Sequence, residues 1–222
     1  MPQAVVFDLD YTLAVPTRDR ETILREAVEA ADAPPITREE YLEAHRRNLT
    51  RETREPIFAD LLEGRESEAD PEAVADAYRE TIAATLQSLP DVESMLEELR
   101  SEYRVGLLTN GPVRAQRDKL ETLGWEDRFD AAIVTGELEA GKPDRHAFEA
   151  ITTELAVDPA EAVYVGDEIE ADIYGATNAG LDAVQVVLED GPEPDPRAIA
   201  HVEQSAVATA VPALLESLAT AE

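Results

Sequence analysis

Five short, Val-rich apolar runs, at residues 4–7, 104–108, 131–134, 162–165 and 183–187, limit what this chain can fold into. Each is followed by small or acidic residues. Runs this short, apolar on both faces, read as buried parallel strands. Helical patterns follow three of them, over residues 113–123, 146–155 and 170–179. Strands alternating with helices predict an α/β fold, a doubly wound Rossmann-like parallel sheet. With strand order 3-2-1-4-5, the ligand crevice lies at the switch point between strands one and four.

One gap breaks the alternation. Residues 8–103 separate the first run from the second, where a crossover needs only about a dozen residues. Between 14 and 89 the signal is helical, with almost no strand character. Residues 18–32 are amphipathic, Pro34-Pro35 breaks them, and Thr37 caps 38–48 with Glu40 three residues later. Pro71 opens a further helix running to about residue 88, Pro56 and Gly64 mark turns, and Leu89-Pro90 returns the chain to the core. The expected organisation is a Rossmann-like core of residues 1–14 and 89–222 with an all-helical, four-helix insertion at 15–88. Residues 189–197, with three prolines, read as a surface loop before a last helix at 211–221.

Charge narrows the partners. The chain has 49 acidic and 19 basic residues, a formal −30, spread along its whole length. Nucleic acid and anionic membranes would be repelled by such a surface. The absence of cysteine excludes disulfides, thiolate metal sites and cysteine nucleophiles. No apolar run is long enough to span a membrane, and the N-terminus does not read as a secretion signal, so the expected location is cytoplasmic. The basic residues are seventeen Arg and two Lys. An acidic, Lys-poor, Cys-free chain resembles proteins of salt-loving archaea, in which concentrated salt screens the self-repulsion.

Four segments at predicted strand ends carry candidate chemistry. In Asp8-Leu9-Asp10-Tyr11-Thr12, two carboxylates on extended backbone point the same way. They repel unless a cation or proton lies between them; a plain turn is the competing reading. Thr109-Asn110-Gly111 can offer donors to an anion, or can simply cap and turn. In Gly141-Lys142-Pro143, a lysine retained where the chain otherwise uses Arg suggests a required ammonium point charge; Lys119 reads as a chance survivor on a helix face. Gly136 to Pro143 nearly spells a triphosphate loop, but Pro143 lacks the hydroxyl and Glu137 and Glu139 would repel the ligand. In Gly166-Asp167 with Asp172, a carboxylate at a strand tip suits a hard cation, or only the start of a helix.

Together, Asp8-x-Asp10-x-Thr12, Thr109, Lys142 and Gly166-Asp167 with Asp172 resemble the haloacid dehalogenase superfamily of phosphohydrolases, across essentially the whole chain. The insertion resembles the helical cap of its first cap subclass. The resemblance implies a Mg²⁺-dependent phosphomonoester hydrolase acting on a small phosphorylated metabolite. Asp8 would be the nucleophile, forming an aspartyl phosphate. Asp10 would protonate the leaving alcohol and then activate water, its backbone carbonyl binding the metal. Thr109, Asn110, Gly111 and Lys142 would hold the phosphoryl group, and Asp8, Asp10, Asp167 and Asp172 would form the Mg²⁺ site. Tyr11 departs from a common Gly, Glu168 from a common Ser, and Ala171 from a common Asn.

The insertion holds ten of the seventeen Arg. Arg47 and Arg51 share a helical face and are expected either to hold an anionic part of the substrate or to pair with surface Glu. His45, His146 and His201 read as surface or packing residues. Other readings within the superfamily are a metal-free 2-haloacid dehalogenase, against which Asp10 speaks, and a phosphomutase. A phospho-accepting signalling receiver shares the Asp, Thr, Lys and Mg²⁺ set, but is about half this length.

Overall fold

A computed structural model describes residues 1–220. Six strands form one parallel sheet: β1 (Ala4–Phe7), β4 (Arg104–Thr109), β5 (Ala131–Val134), β6 (Ala162–Gly166), β7 (Asp182–Val187) and β8 (Ala200–Glu203). Their order across the sheet is β5-β4-β1-β6-β7-β8. The central strands are apolar on both faces because both are covered. One face packs α5 (Val92–Leu99), α6 (Val113–Leu123) and α9 (Val207–Thr220) around Trp125. The other packs α7 (Arg145–Glu154) and α8 (Gly175–Ala179) around Phe148 and Tyr164.

The register positions the chemistry. Phe7 lies opposite Leu107 on one side and Val165 on the other. Asp8, Thr109 and Asp167 therefore emerge within a residue or so of one level, at the carboxyl ends of the three central strands.

Residues 17–85 form a helical layer with its own apolar core. It contains α1 (Arg20–Ala30), α2 (Arg38–Arg47), α3 (Glu55–Leu62) and α4 (Pro71–Ala83), packed through Ile23, Leu24, Tyr41, Phe58, Tyr78 and Ile82. Thr37 and Glu40 cap α2 reciprocally, as the sequence predicts. The layer is tied to the core by an antiparallel ribbon of β2 (Ala14–Pro16) and β3 (Leu86–Ser88). The loop after α2 also accepts bonds from the start of α6, Val113 N–H to Arg51 O and Arg114 N–H to Glu52 O, both at 2.9 Å.

The structure corrects the sequence reading at several points. β8 is a sixth strand; only Val202 of its four residues is buried, so it shows no apolar run. The ribbon strands are three residues long, and β3 takes the place of the last turn expected of α4. Pro56 lies inside the first turn of α3 rather than in a turn, where its missing N–H costs nothing. α9 begins at Val207, four residues earlier than expected, because Val207, Val211 and Leu215 all reach the core at helical spacing; residue 221 lies outside the described residues. The helix expected over 170–179 divides into a wide π-helical turn at Ile169–Tyr174, followed by α8.

Candidate active site

Two buried charge clusters lie side by side at the carboxyl edge of the sheet. In the first, carboxylate oxygens of Asp8, Asp167 and Asp172 all lie within 4.8 Å of one another. Lys142 Nζ, 3% exposed, donates to Asp8 Oδ1 at 2.8 Å, Asp172 Oδ1 at 2.7 Å and the Tyr164 hydroxyl at 2.7 Å. The Tyr164 hydroxyl donates to Leu108 O at 2.9 Å, which fixes it between strands. Thr12, fully buried, donates from Oγ1 to Asp167 Oδ1 at 3.3 Å. The wide turn exists to bring Asp172 back: its Oδ2 accepts the Glu168 N–H at 3.0 Å while its own N–H bonds Glu168 O at 2.8 Å.

Three carboxylates and one ammonium leave a net charge of −2 in a buried space. Burial pushes the Asp8 carboxyl up to about 7, with Asp172 and Asp10 adding to the shift and Lys142 opposing it. Burial and the same neighbours raise Asp167 well above the carboxylate range. Burial also works against the Lys142 charge, but Asp172 and Asp8 outweigh it and keep the ammonium protonated. A site of hard oxygen donors with two surplus negative charges fits one divalent cation such as Mg²⁺, and protons take that place where none is bound.

A pH test follows. The raised Asp8 carboxyl means that the folded, metal-free protein holds a proton which the unfolded chain releases above about pH 4. This cluster therefore costs stability as pH rises from about 4 to 7, and a divalent cation must displace the proton over the same range. Mg²⁺ binding is expected to tighten with pH up to about 7, with proton release that declines as pH rises through 7. Calorimetry in buffers of different ionisation enthalpy measures both; an affinity unchanged between about pH 5.5 and 8 contradicts the cluster's charge state.

Gly166 is required by this packing. A Cβ there would lie 2.4 Å from Asp172 Oδ2 and 2.5 Å from its Cγ. Gly166→Ala is expected to push Asp172 off Lys142, costing about 1–3 kcal/mol and most of the activity. Thermal melts and turnover check it, and a parent-like melt with parent-like rate refutes the packing argument.

In the second cluster, the Asp10 carboxylate turns away from the triad. Its Oδ1 accepts Arg20 Nη2 at 2.6 Å, and its Oδ2 accepts Gln116 Nε2 at 3.1 Å and the Lys119 ammonium. Burial opposes its ionisation, but Lys119 and Arg20 hold the carboxyl below the usual range. Gln116 Nε2 also lies 3.0 Å from Thr109 Oγ1 and 2.6 Å from Asn110 O. Since Thr109 accepts from Gln116, its own hydroxyl hydrogen is available to an anion.

Asp8, Asp167, Asp172 and Lys142 thus meet, with Thr109 one step away through Gln116. Asp10 lies beside them with its carboxylate outside the triad. Asn110 and Gly111 do not offer the donors expected of them. The Asn110 amide bonds the Lys142 backbone in both directions at 2.9 Å, and the Gly111 N–H bonds Thr135 Oγ1 at 3.1 Å. The Asn110 amide thereby fixes the Lys142 backbone. Arg47 is exposed and pairs with Glu43 at 3.1 Å, with Asp60 at 3.9 Å; Arg51 is exposed and bonds Asn48 Oδ1 at 3.3 Å. Neither joins the two clusters.

Sequence reasoning missed Lys119, Arg20, Gln116 and Tyr164. Lys119 is 3% exposed and in contact with Asp10, not a survivor on a helix surface. Tyr11 sits at φ 61°, a left-handed conformation that is an outlier for a bulky residue. Its ring carries the Arg20 guanidinium, 5.6 Å from the centroid, and its carbonyl accepts Gln204 Nε2 at 2.6 Å. A glycine there would relieve the backbone but lose the support for Arg20.

Comparison with known proteins places the chain in a family. A model of the haloacid dehalogenase-like hydrolases matches residues 2–180. The chain is 41% identical over 129 residues to the N-acylneuraminate-9-phosphatase of Homo sapiens, which covers 58% of this chain and 52% of that protein. The match thus spans about half the length of that relative. It is 34% identical over 197 residues to the glyceraldehyde 3-phosphate phosphatase of Methanopyrus kandleri, covering 84% of each. In three dimensions it is similar to the 2-haloacid dehalogenase of Pseudomonas syringae, with a TM-score of 0.69 and 27% identity over 98% of this chain and all of that one.

Proposed function

Because the chain belongs to the haloacid dehalogenase-like hydrolases, we propose that it is a Mg²⁺-dependent phosphomonoester hydrolase acting on a small phosphorylated metabolite. The observation that carries this reading is the buried, doubly negative cluster of Asp8, Asp167, Asp172 and Lys142 at the switch point of the sheet. The named phosphatase relatives support it.

Asp8 attacks phosphorus in line with the ester oxygen, giving an aspartyl phosphate and the leaving alcohol. Asp10 gives that alcohol its proton and takes one from the water that then cleaves the acyl phosphate. Lys119 and Arg20 hold it ionised here, so to act as the acid it must turn from these partners towards the ester oxygen. Thr109 Oγ–H and Lys142 hold the non-bridging oxygens. Asp8, Asp167 and the Asp10 carbonyl would hold Mg²⁺, with Asp172 in support. When bound, the ion neutralises charge on the transferring phosphoryl group. Residues 15–88 form a cap over a core of 1–14 and 89–222, and the cap selects the leaving group.

We read the −30 charge as adaptation to concentrated salt in a cytoplasmic protein, so the decisive assay runs in molar KCl. A set of phosphorylated metabolites is offered with Mg²⁺, with Asp8→Asn as the blank. Phosphate release that EDTA abolishes is expected. Release that survives EDTA, or equal release from the blank, refutes the reading. A dehalogenase would act on 2-haloacids with EDTA present.

A further inference from the structure

We propose that Arg20, Lys119 and Arg54 form a second anion subsite beside the phosphoryl pocket, built to take an oxyanion, carboxylate or phosphate, carried by the leaving group of the ester. This rests on the phosphatase reading above and narrows its substrate class.

The case begins with a charge count. Lys119 has a side chain 3% exposed, Arg20 one 10% exposed, and Arg54 as a residue is 7% exposed. Burying a cation is costly unless a negative partner shares the space. Arg20 and Lys119 divide a single carboxylate, Asp10, between them. Arg54 bonds no carboxylate among the described residues: its Nε donates to the Tyr41 hydroxyl at 3.1 Å, and its guanidinium lies 5.2 Å from the centre of the Tyr78 ring. Those contacts use one nitrogen and one face, and leave the two terminal nitrogens as a fork suited to an oxyanion. Three cationic side chains share one carboxylate, in a chain with more than twice as many acidic as basic residues, and burial, with Arg20 and Arg54 nearby, pushes the Lys119 ammonium down to about 7 against the pull of Asp10.

Neighbouring groups register the surplus. His45 stacks on Tyr41 at 5.8 Å and has no hydrogen-bond partner for its buried Nδ1. Burial pushes its imidazole down to about 3, with Arg54, Lys119 and Arg38 adding to the shift. It stays neutral.

The place also fits an ester. Lys119 touches the Asp10 oxygen that Gln116 Nε2 bonds at 3.1 Å, and the same Nε2 lies 3.0 Å from Thr109 Oγ1. Phosphoryl pocket and cationic wall are therefore separated by one amide. Arg54 comes from the start of the insertion's third helix and Lys119 from the core, so an oxyanion between them would bridge the two layers. The matching substrate is small, with a second charge a few bonds from the scissile oxygen.

Matched esters test this. 2-Phosphoglycolate is compared with 2-hydroxyethyl phosphate for the carboxylate, and ribulose 1,5-bisphosphate with ribulose 5-phosphate for the second phosphate. A kcat/KM ratio of roughly 10 to 100 in favour of the doubly anionic member of at least one pair is expected. The favoured pair identifies the oxyanion. In Arg54→Gln and in Lys119→Met the ratio should fall towards one. Equal rates within both pairs overturn the subsite while leaving the phosphatase reading intact; no turnover of any ester overturns both. Should Lys119→Met not fold, the wild-type ratios and the variant Arg54→Gln decide.

Discussion

Asp8→Asn is expected to lower phosphomonoester turnover by at least roughly 10⁴-fold, without lowering the melting temperature. The amide is isosteric and can still accept from Lys142 Nζ at the position where Asp8 Oδ1 does so now, at 2.8 Å. It cannot attack phosphorus, so no covalent intermediate forms. Stability has the opposite sign from activity. Burial penalises the ionised Asp8 carboxylate, and Asp172 and Asp10 add repulsion. The amide removes that charge while Lys142 keeps Asp172 and Tyr164. At about pH 8 without Mg²⁺, where the parent pays the full cost of an ionised cluster, the variant should melt at the same temperature or higher. Its Mg²⁺ affinity should fall, since one surplus negative charge is gone. Thermal melts with and without Mg²⁺, beside steady-state rates, separate the effects. Turnover within about tenfold of the parent would remove Asp8 from the reaction.

Buried parallel strands must be apolar on both faces, and β1, β4, β5, β6 and β7 announce themselves for that reason. β8 is an edge strand with one buried side chain, so nothing in Ala-His-Val-Glu marks it. β2 and β3 have no pattern because three residues cannot show a period. α9 starts earlier than expected because the packing of Val207 decides where the helix begins, and Pro212 lies inside it.

The candidate site divides in the same way. Asp8 and Asp167 directly follow strands, where side-chain direction follows from the strand; Asp172 is returned by the wide turn and Lys142 is fixed by Asn110 in the loop after β5, and the structure brings these four together. Asp10 stands there too, but its carboxylate direction depends on Arg20 and Lys119, which come from two other helices. Lys119 carried the same signal as Lys142, a lysine kept in an Arg-rich chain, and the rule holds for both. The helix sequence gave no sign that this residue points inward, because Arg117 and Asp118 precede it and a charged residue among charged residues reads as solvated. The cap arginines show the limit of local charge patterns. Arg47 and Arg51 share a helical spacing but lie at the surface, while Arg54, three residues on, is buried against two tyrosines.

Lys142→Met is expected to destabilise the metal-free protein by about 3–5 kcal/mol and to reduce turnover by roughly 10³-fold. Among the described residues the ammonium is the only cation bonded to the Asp8–Asp172 pair, at 2.8 and 2.7 Å. Without it three carboxylates crowd a space from which water is excluded. The sign with pH follows from the direction in which the carboxyls move. Asp8 and Asp167 are already raised, and losing Lys142, which lowers both, raises them further. The penalty is therefore full at high pH, where the group would ionise, and shrinks as falling pH protonates it. Denaturant melts at about pH 8 and pH 5 should show parent and variant converging at the lower value, and Mg²⁺ should recover part of the loss at the higher one. Lys142→Arg should not restore the rate. Three acceptors, Asp8 Oδ1, Asp172 Oδ1 and the Tyr164 hydroxyl, converge on one nitrogen at 2.7–2.8 Å, a geometry that a compact ammonium satisfies and a planar guanidinium does not. A Lys142→Met protein whose stability matched the parent at both pH values would show that the carboxylates are not held together by this charge, and the cation site would have to be built from other groups.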